Sequence, residues 1–246
     1  MKKIKTAIIL AAGLGNRLRP LTNELPKCLT EINGKTILIS IMENLESIGI
    51  EKVAVVIGYL GDAIIKSIGR RYKSMAVDYI LNDIYYKTNT MYSVWLANEY
   101  LRQGAVLVEG DCILEDRIME ILVAADQRKS YWVADQFSEH FDGSMLTADK
   151  KGRIIGIQIV KGKLAAYREN YFKSAGTLKL NANYGSKFCR WLDEEVKMGN
   201  VNIYYDLILA NHLTDAPIYI CNIKGLKWQE IDNLEDLYAA EKIFEN

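Results

Sequence analysis

The sequence predicts an α/β protein, with a mixed, mostly parallel sheet covered on both faces by helices to give three layers. Two observations carry this. In the first half, short apolar runs rich in β-branched residues alternate with stretches whose apolar positions recur every three or four residues. That rhythm belongs to buried strands joined by helical crossovers. In the second half, shorter runs are separated by Asp-Gly-type turns, which predicts antiparallel hairpins. With 246 residues, half of them hydrophobic, the chain can bury a sizeable core. Residues 1–246 are expected to form a single domain, with a small hairpin-rich insertion at about 130–182.

The elements follow in order. Residues 5–11 read as a buried strand. Within 36–49, Ile37, Ile41, Leu45 and Ile48 share one helical face, and Gly49 ends the helix. A second strand at 53–57 leads through Gly58-Tyr59-Leu60-Gly61-Asp62 into a helix near 62–72. A third strand is expected at 77–81, a helix at 90–102, and a fourth strand at 106–109 that ends at Gly110-Asp111. Runs at 131–135, 144–148 and 153–160 predict short strands, with turns at Asp142-Gly143 and 149–152. Helices follow at 184–198 and 203–213, then a strand at 218–223 and a closing helix at 234–244 capped near Asn233.

Composition removes several classes. The 31 basic and 31 acidic residues balance, so the chain lacks the positive field of a non-specific nucleic-acid binder. Cys28, Cys112, Cys189 and Cys221 form no C-x-x-C pair and there are two histidines, so zinc spacing is absent. Scattered cysteines predict reduced, partly buried thiols in a cytoplasmic protein. No run reaches the eighteen or so apolar residues of a membrane span. The basic start and the apolar stretch to Ala12 have the outline of a secretory signal. Its removal would delete the first strand and the loop after it, so it is read as part of the fold.

The chemistry begins where that strand ends. Ile8-Ile9-Leu10-Ala11-Ala12-Gly13-Leu14-Gly15-Asn16-Arg17 runs on to Pro20-Leu21-Thr22 and Pro26-Lys27. Gly13 and Gly15 let a polyphosphate approach backbone N–H groups. Arg17 can fork onto phosphate oxygens and Lys27 adds a compact charge. A Walker A loop would need Gly-Lys-Ser/Thr, and a dinucleotide fingerprint would need a glycine where Leu18 stands. Downstream, Asp111 follows a buried strand, and Asp232 lies just before the last helix. The polar stretch from Asn82 through Thr88, Asn89 and Ser93 reads equally as a helix cap or as groups that read a pyrimidine edge.

The full string resembles the signature of the nucleotidyltransferases that join a nucleoside triphosphate to a phosphorylated sugar or alcohol. Over essentially the whole chain the sequence looks most like the small cytidylyltransferases that act on phosphocholine and on phosphonates such as 2-aminoethylphosphonate. The resemblance implies a Rossmann-like sheet of the nucleotide-diphospho-sugar transferase type. It also implies Mg²⁺ held by Asp111 and Asp232, catalytic roles for Lys27 and Arg17, and a nucleotide site of Leu10, Ala11, Ala12, Gly13, Gly15, Asn16, Arg17, Asn82, Thr88, Asn89 and Ser93. The partners implied are CTP, or another nucleoside triphosphate, and a small phosphate or phosphonate acceptor, with no nucleic acid and no membrane. A cationic acceptor wants aromatic faces and a carboxylate, and Phe141, Asp142, Tyr205, Trp228 and Glu230 fall where the acceptor would sit. Two alternatives stay open: a sugar-1-phosphate uridylyl- or thymidylyltransferase, and a non-catalytic nucleotide-sensing module on the same fold.

Overall fold

The computed structural model describes residues 3–138, 142–161 and 168–245. The chain opens with β1 (Thr6–Ala11), then three single 3-10 turns, Asn16–Leu18, Leu21–Asn23 and Lys27–Leu29. A small ribbon, β2 (Glu31–Ile32) and β3 (Lys35–Thr36), leads into α1 (Ile37–Ser47), whose first turn is capped by the Thr36 side chain. Next come β4 (Lys52–Ile57), α2 (Gly61–Ile68), β5 (Arg71–Tyr72), β6 (Met75–Leu81), α3 (Thr90–Leu96) and α4 (Asn98–Leu101). They are followed by β7 (Ala105–Glu109), β8 (Cys112–Leu114), α5 (Asp116–Ala124), β9 (Ser130–Gln136), β10 (Gly143–Ala148) and β11 (Ile154–Val160). The chain closes with β12 (Tyr171–Leu180), α6 (Ala182–Lys197), α7 (Tyr205–Asn211), β13 (Ile218–Asn222), β14 (Trp228–Glu230) and α8 (Leu234–Ile243).

Four strands in the order β7-β1-β4-β6 form the parallel heart of the sheet, with Ile8 paired to both Ala54 and Leu107. Strand alternation sends Ala7, Ile9, Val53, Val55 and Val106 to one face, where they pack with buried residues of α1, α2, α5 and α8. Ile8, Ala54, Val56 and Leu107 point the other way, onto α3, α4, α6 and α7. Both faces are apolar and covered, which gives the three-layer, mostly parallel α/β fold that the sequence predicts. Each fully buried Ile, Val or Leu contributes about 1.5–3 kcal/mol relative to exposure.

The second half is attached through β12. One edge of β12 pairs with β9, and β9 pairs in turn with β13. The opposite edge is shared: Tyr171–Lys173 pairs with β10 and Thr177–Leu180 with β7. The handover occurs at an irregularity between Ser174 and Leu178. Gly176 sits there at φ +62°, and a Cβ on it would lie 2.7 Å from Cys112 Sγ. Only glycine fits that turn.

Several expectations are corrected. The helix expected to 72 ends at Ile68, and a tight ribbon turn with Lys73 at φ 48° follows. The 90–102 helix breaks at Ala97 into α3 and α4. Asp142-Gly143 does not close a hairpin, because β9 and β10 lie on opposite edges of β12. The hairpin at 149–152 does form, between β10 and β11. β12, α5 and the short strands β8 and β14 were not foreseen. The β12 segment carries Lys173, Gly176 and Lys179, which mask its strand pattern. All four cysteines are free and buried. Among the described residues no helix is long and apolar enough to cross a membrane.

Candidate active site

A cleft opens at the carboxyl ends of β1, β6 and β7, where ligands of open α/β sheets sit. Its wall includes Leu10, Ala11, Ala12 and Gly13 from β1 and its loop, Asn82, Thr88, Asn89 and Ser93 from the β6–α3 connection, and Glu109, Gly110 and Asp111 after β7. The strand ends approach closely. Gly110 N–H donates to Leu10 O at 2.9 Å, and a Cβ on Gly110 would lie 2.6 Å from that oxygen. Gly13 faces open space instead, with nothing within 4 Å of its Cβ position. Its backbone is therefore accessible from the cleft.

Beyond Gly13 the loop is braced. Thr22 Oγ1 donates to Gly15 O at 2.8 Å, and the Tyr59 phenol lies 2.9 Å from the carbonyls of both Thr22 and Asn23. Arg17 lies in the first 3-10 turn and Lys27 opens the third, just after the extended Pro26. These turns aim both cations at the same carboxylates. Lys27 Nζ is 2.8 Å from Asp111 Oδ2 and 2.7 Å from Asp232 Oδ1, and Arg17 Nη2 is 2.8 Å from Asp232 Oδ2.

Burial opposes the charge on Lys27, but Asp111 and then Asp232 outweigh it, so its ammonium is held above the ordinary lysine value. Burial pushes Asp232 up, while Lys27 and then Arg17 pull it down more strongly, leaving it below the usual carboxylate value.

Asp232 is placed by the β8–β14 ribbon and by α8. Glu230 pairs with Cys112, and Ile231 N–H donates to Asp111 O at 2.9 Å. Asn233 and Asp236 form a capping box, with Asp236 also accepting from Asp232 N–H at 2.8 Å. Oxygens of Asp111, Glu230 and Asp232 lie within 4.8 Å of one another. An all-carboxylate donor set of this kind suits a hard divalent cation such as Mg²⁺.

The chain therefore brings together Lys27, Arg17, Asp111 and Asp232, which lie far apart in sequence, beside the open backbone at Gly13. A model described as nucleotidyl transferase matches residues 6–141. The chain belongs to the nucleotidyl transferase family. Among its relatives, a 2-aminoethylphosphonate cytidylyltransferase from Lancefieldella rimae is 28% identical over 237 residues, covering 96% of this chain and 91% of that protein. A CMP-5'-(3-aminopropyl)phosphonate synthase from Streptomyces rubellomurinus is 29% identical over 239 residues; the match covers 96% of this chain but only 38% of that longer protein. The solved CTP:phosphocholine cytidylyltransferase from Streptococcus pneumoniae superposes with a TM-score of 0.84 at 24% identity, covering 98% of this chain and 100% of that one. That likeness establishes the nucleotidyltransferase fold.

The other predicted positions divide. Asn82 is buried, and its Nδ2 donates to Thr88 Oγ1 at 3.0 Å and Ser93 Oγ at 3.1 Å. Asn89 caps α3, its side chain accepting from Thr90 N–H. Gly15, Asn16, Arg17 and Asp232 do not line the cleft wall itself; Asp232 joins it through Lys27, and Arg17 through Asp232. Glu230 lies beside the paired aspartates, and Asp142 is exposed. Phe141 lies outside the described residues.

Two aromatic expectations need correction. Tyr205 is 0% exposed, packs with Trp132, and sends its hydroxyl 2.6 Å to Glu109. Trp228 is 7% exposed and its indole donates to Asp135 at 3.0 Å. Both rings are buried in the core clusters, and that of Tyr205 is wholly enclosed.

The sequence reading missed Lys173, Glu109 and Asp206. The Lys173 side chain is 5% exposed, with Nζ 2.7 Å from Glu230 Oε2. Asp206 is buried and its Oδ1 has no hydrogen-bond partner. Burial, then the charge of Asp111, holds the Glu109 carboxyl well above its usual value. A charged residue within or against an apolar strand was the available signal, visible as Glu109 before Gly110-Asp111 and as Lys173 before Ser174-Ala175.

Proposed function

We propose that this nucleotidyltransferase transfers a cytidylyl group from CTP to a small aminophosphonate or amino-alcohol phosphate, releasing pyrophosphate. The observation that carries the reading is Lys27 bracketed by Asp111 and Asp232 at the mouth of a cleft with an open glycine loop. Backbone N–H groups at Gly13 and the Arg17 guanidinium bind the β/γ end of the triphosphate. Lys27 orients the α-phosphate and the acceptor anion. An acceptor oxygen attacks the α-phosphorus in line, the bond to the bridging oxygen breaks, and pyrophosphate leaves. The acceptor oxygen is already anionic, so no proton is removed and no histidine is needed in the cleft. Asp111 and Asp232, with Glu230 adjacent, would hold Mg²⁺, which when bound offsets charge on the phosphates.

The names of the relatives support cytidylyl transfer and a phosphonate or phosphocholine-type acceptor. Within that class, the buried rings of Tyr205 and Trp228 favour a primary ammonium over a trimethylammonium group. A primary ammonium can donate to carboxylate oxygens such as those of Glu230 and the Oδ1 of Asp206, which has no hydrogen-bond partner, whereas a quaternary one depends on aromatic faces.

The test is pyrophosphate release with Mg²⁺ in a matrix of CTP, UTP, dTTP and ATP against 2-aminoethylphosphonate, phosphocholine and glucose-1-phosphate. Release with CTP and 2-aminoethylphosphonate is the expected result. Release only with UTP or dTTP and the sugar phosphate would replace this reading with the sugar-nucleotide one.

A further inference from the structure

The carboxylates proposed to take the metal are paired with the cations proposed to take the triphosphate. Both oxygens of Asp232 and one of Asp111 are held by Lys27 or Arg17 at 2.7–2.8 Å. Two positive charges thus offset two negative ones. A divalent ion entering alone must push the ammonium from between its own ligands and meets like charge as it does so.

A triphosphate changes that balance, because its oxygens accept from lysine and arginine as well as carboxylates do. Neither side chain needs its backbone to move. The Lys27 main chain is fixed by a turn in which Leu29 N–H reaches Pro26 O at 2.8 Å and Thr30 N–H reaches Lys27 O at 3.0 Å. Its stem rests against the phosphate loop, since a Cβ on Gly15 would lie 3.2 Å from Lys27 Cβ. The movement the gate requires is a rotation of this side chain that turns the ammonium from the carboxylates toward that loop. The Arg17 side chain is 65% exposed, so solvent and phosphate oxygens compete for its pair with Asp232.

We propose that Lys27, assisted by Arg17, gates the metal position, filling the space between Asp111 and Asp232 until a nucleoside triphosphate draws it away. The divalent cation then binds tightly only together with the nucleotide. The gate rests on the reading of Asp111 and Asp232 as metal carboxylates. It forecasts that removing Lys27 tightens metal binding and takes away most of the further tightening that the nucleotide brings.

The test is direct titration of Mn²⁺, following the paramagnetic resonance signal of the free ion. The proteins are the wild type, Lys27→Met, Arg17→Gln and Asp111→Asn, each with and without α,β-methylene-CTP. Without nucleotide, Lys27→Met binds Mn²⁺ about tenfold more tightly than the wild type or better, and Arg17→Gln falls between them. With the Mn²⁺ taken up by the analogue alone, as measured in a protein-free titration, subtracted, the analogue tightens wild-type binding about tenfold more than it tightens binding by Lys27→Met. If wild type and Lys27→Met bind Mn²⁺ equally without nucleotide while Asp111→Asn abolishes binding, the gate is overturned and the metal reading stands. Unchanged binding in Asp111→Asn overturns the metal reading and the gate with it. Should Lys27→Met fold poorly, because it leaves two carboxylates facing each other, Arg17→Gln and the wild-type response to the analogue decide. No tightening in either overturns the gate.

Discussion

The two sides of the proposed site, one for the nucleotide and one for the acceptor, are built on different plans. On the nucleotide side, the loops leaving β1, β6 and β7 fall at adjacent strand ends of a parallel sheet. The fold alone is enough to converge them. On the proposed acceptor side, Lys173 from β12 meets Glu230 from β14 through long connections and one irregular strand, and both act electrostatically on Asp206 of α7. Proximity there depends on details that a local sequence pattern does not encode. The nucleotide half is therefore expected to fail by loss of chemistry, and the acceptor half by changes in stability or selectivity.

The largest effect belongs to Asp111→Asn, which should nearly abolish turnover while the circular dichroism spectrum and melting curve stay close to wild type. Normal turnover in a well-folded variant would remove Asp111 from the machinery. Lys27→Ala comes next, with kcat lowered about a hundredfold to a thousandfold, as for loss of one preorganised charge. Single-turnover kinetics would isolate that step.

A pair of glycine variants sharpens the contrast between scaffold and site. Gly110→Ala places a methyl against Leu10 O, 2.6 Å away, and should cost about 1–3 kcal/mol in denaturant unfolding. Gly13→Ala meets nothing within 4 Å, so stability should hold while the KM for the triphosphate rises. Equal destabilisation of both would erase the distinction.

The smallest effect is pH-dependent. Burial raises the Asp206 carboxyl to about 7, against the pull of Lys173 and with Glu230 adding to the rise. In the folded protein it keeps a proton that the unfolded chain releases near pH 4. Its stabilising contribution is therefore complete below pH 4 and is lost as pH rises toward 7. Asp206→Asn should match the wild type at pH 4 and exceed it at pH 8, by about 1–3 kcal/mol. Parallel stability–pH curves would show that Asp206 carries no such penalty.

The same contrast explains what was legible beforehand. Strand periodicity identifies the parallel core, and the Gly13–Lys27 string the loop that meets Asp111 and Asp232, because both are contiguous in sequence. Asp111 and Asp232 were reachable because the family resemblance pairs an aspartate after such a strand with one before the last helix. Tyr205 and Trp228 were misread because an aromatic side chain carries no mark distinguishing an open face from a buried one. Lys173 was passed over because its strand looks polar until the partner Glu230, 57 residues away, is brought beside it.

The divided edge of β12 also bears on how such a protein can change over time. The β10–β11 hairpin joins the sheet through Met145–Thr147 paired with Tyr171–Lys173, whereas the contact with β7 begins beyond the turn at Gly176. Drift in the hairpin is therefore uncoupled from the register that holds the phosphate loop. The hairpin can change piece by piece while the pairing of β12 with β7 stays as it is.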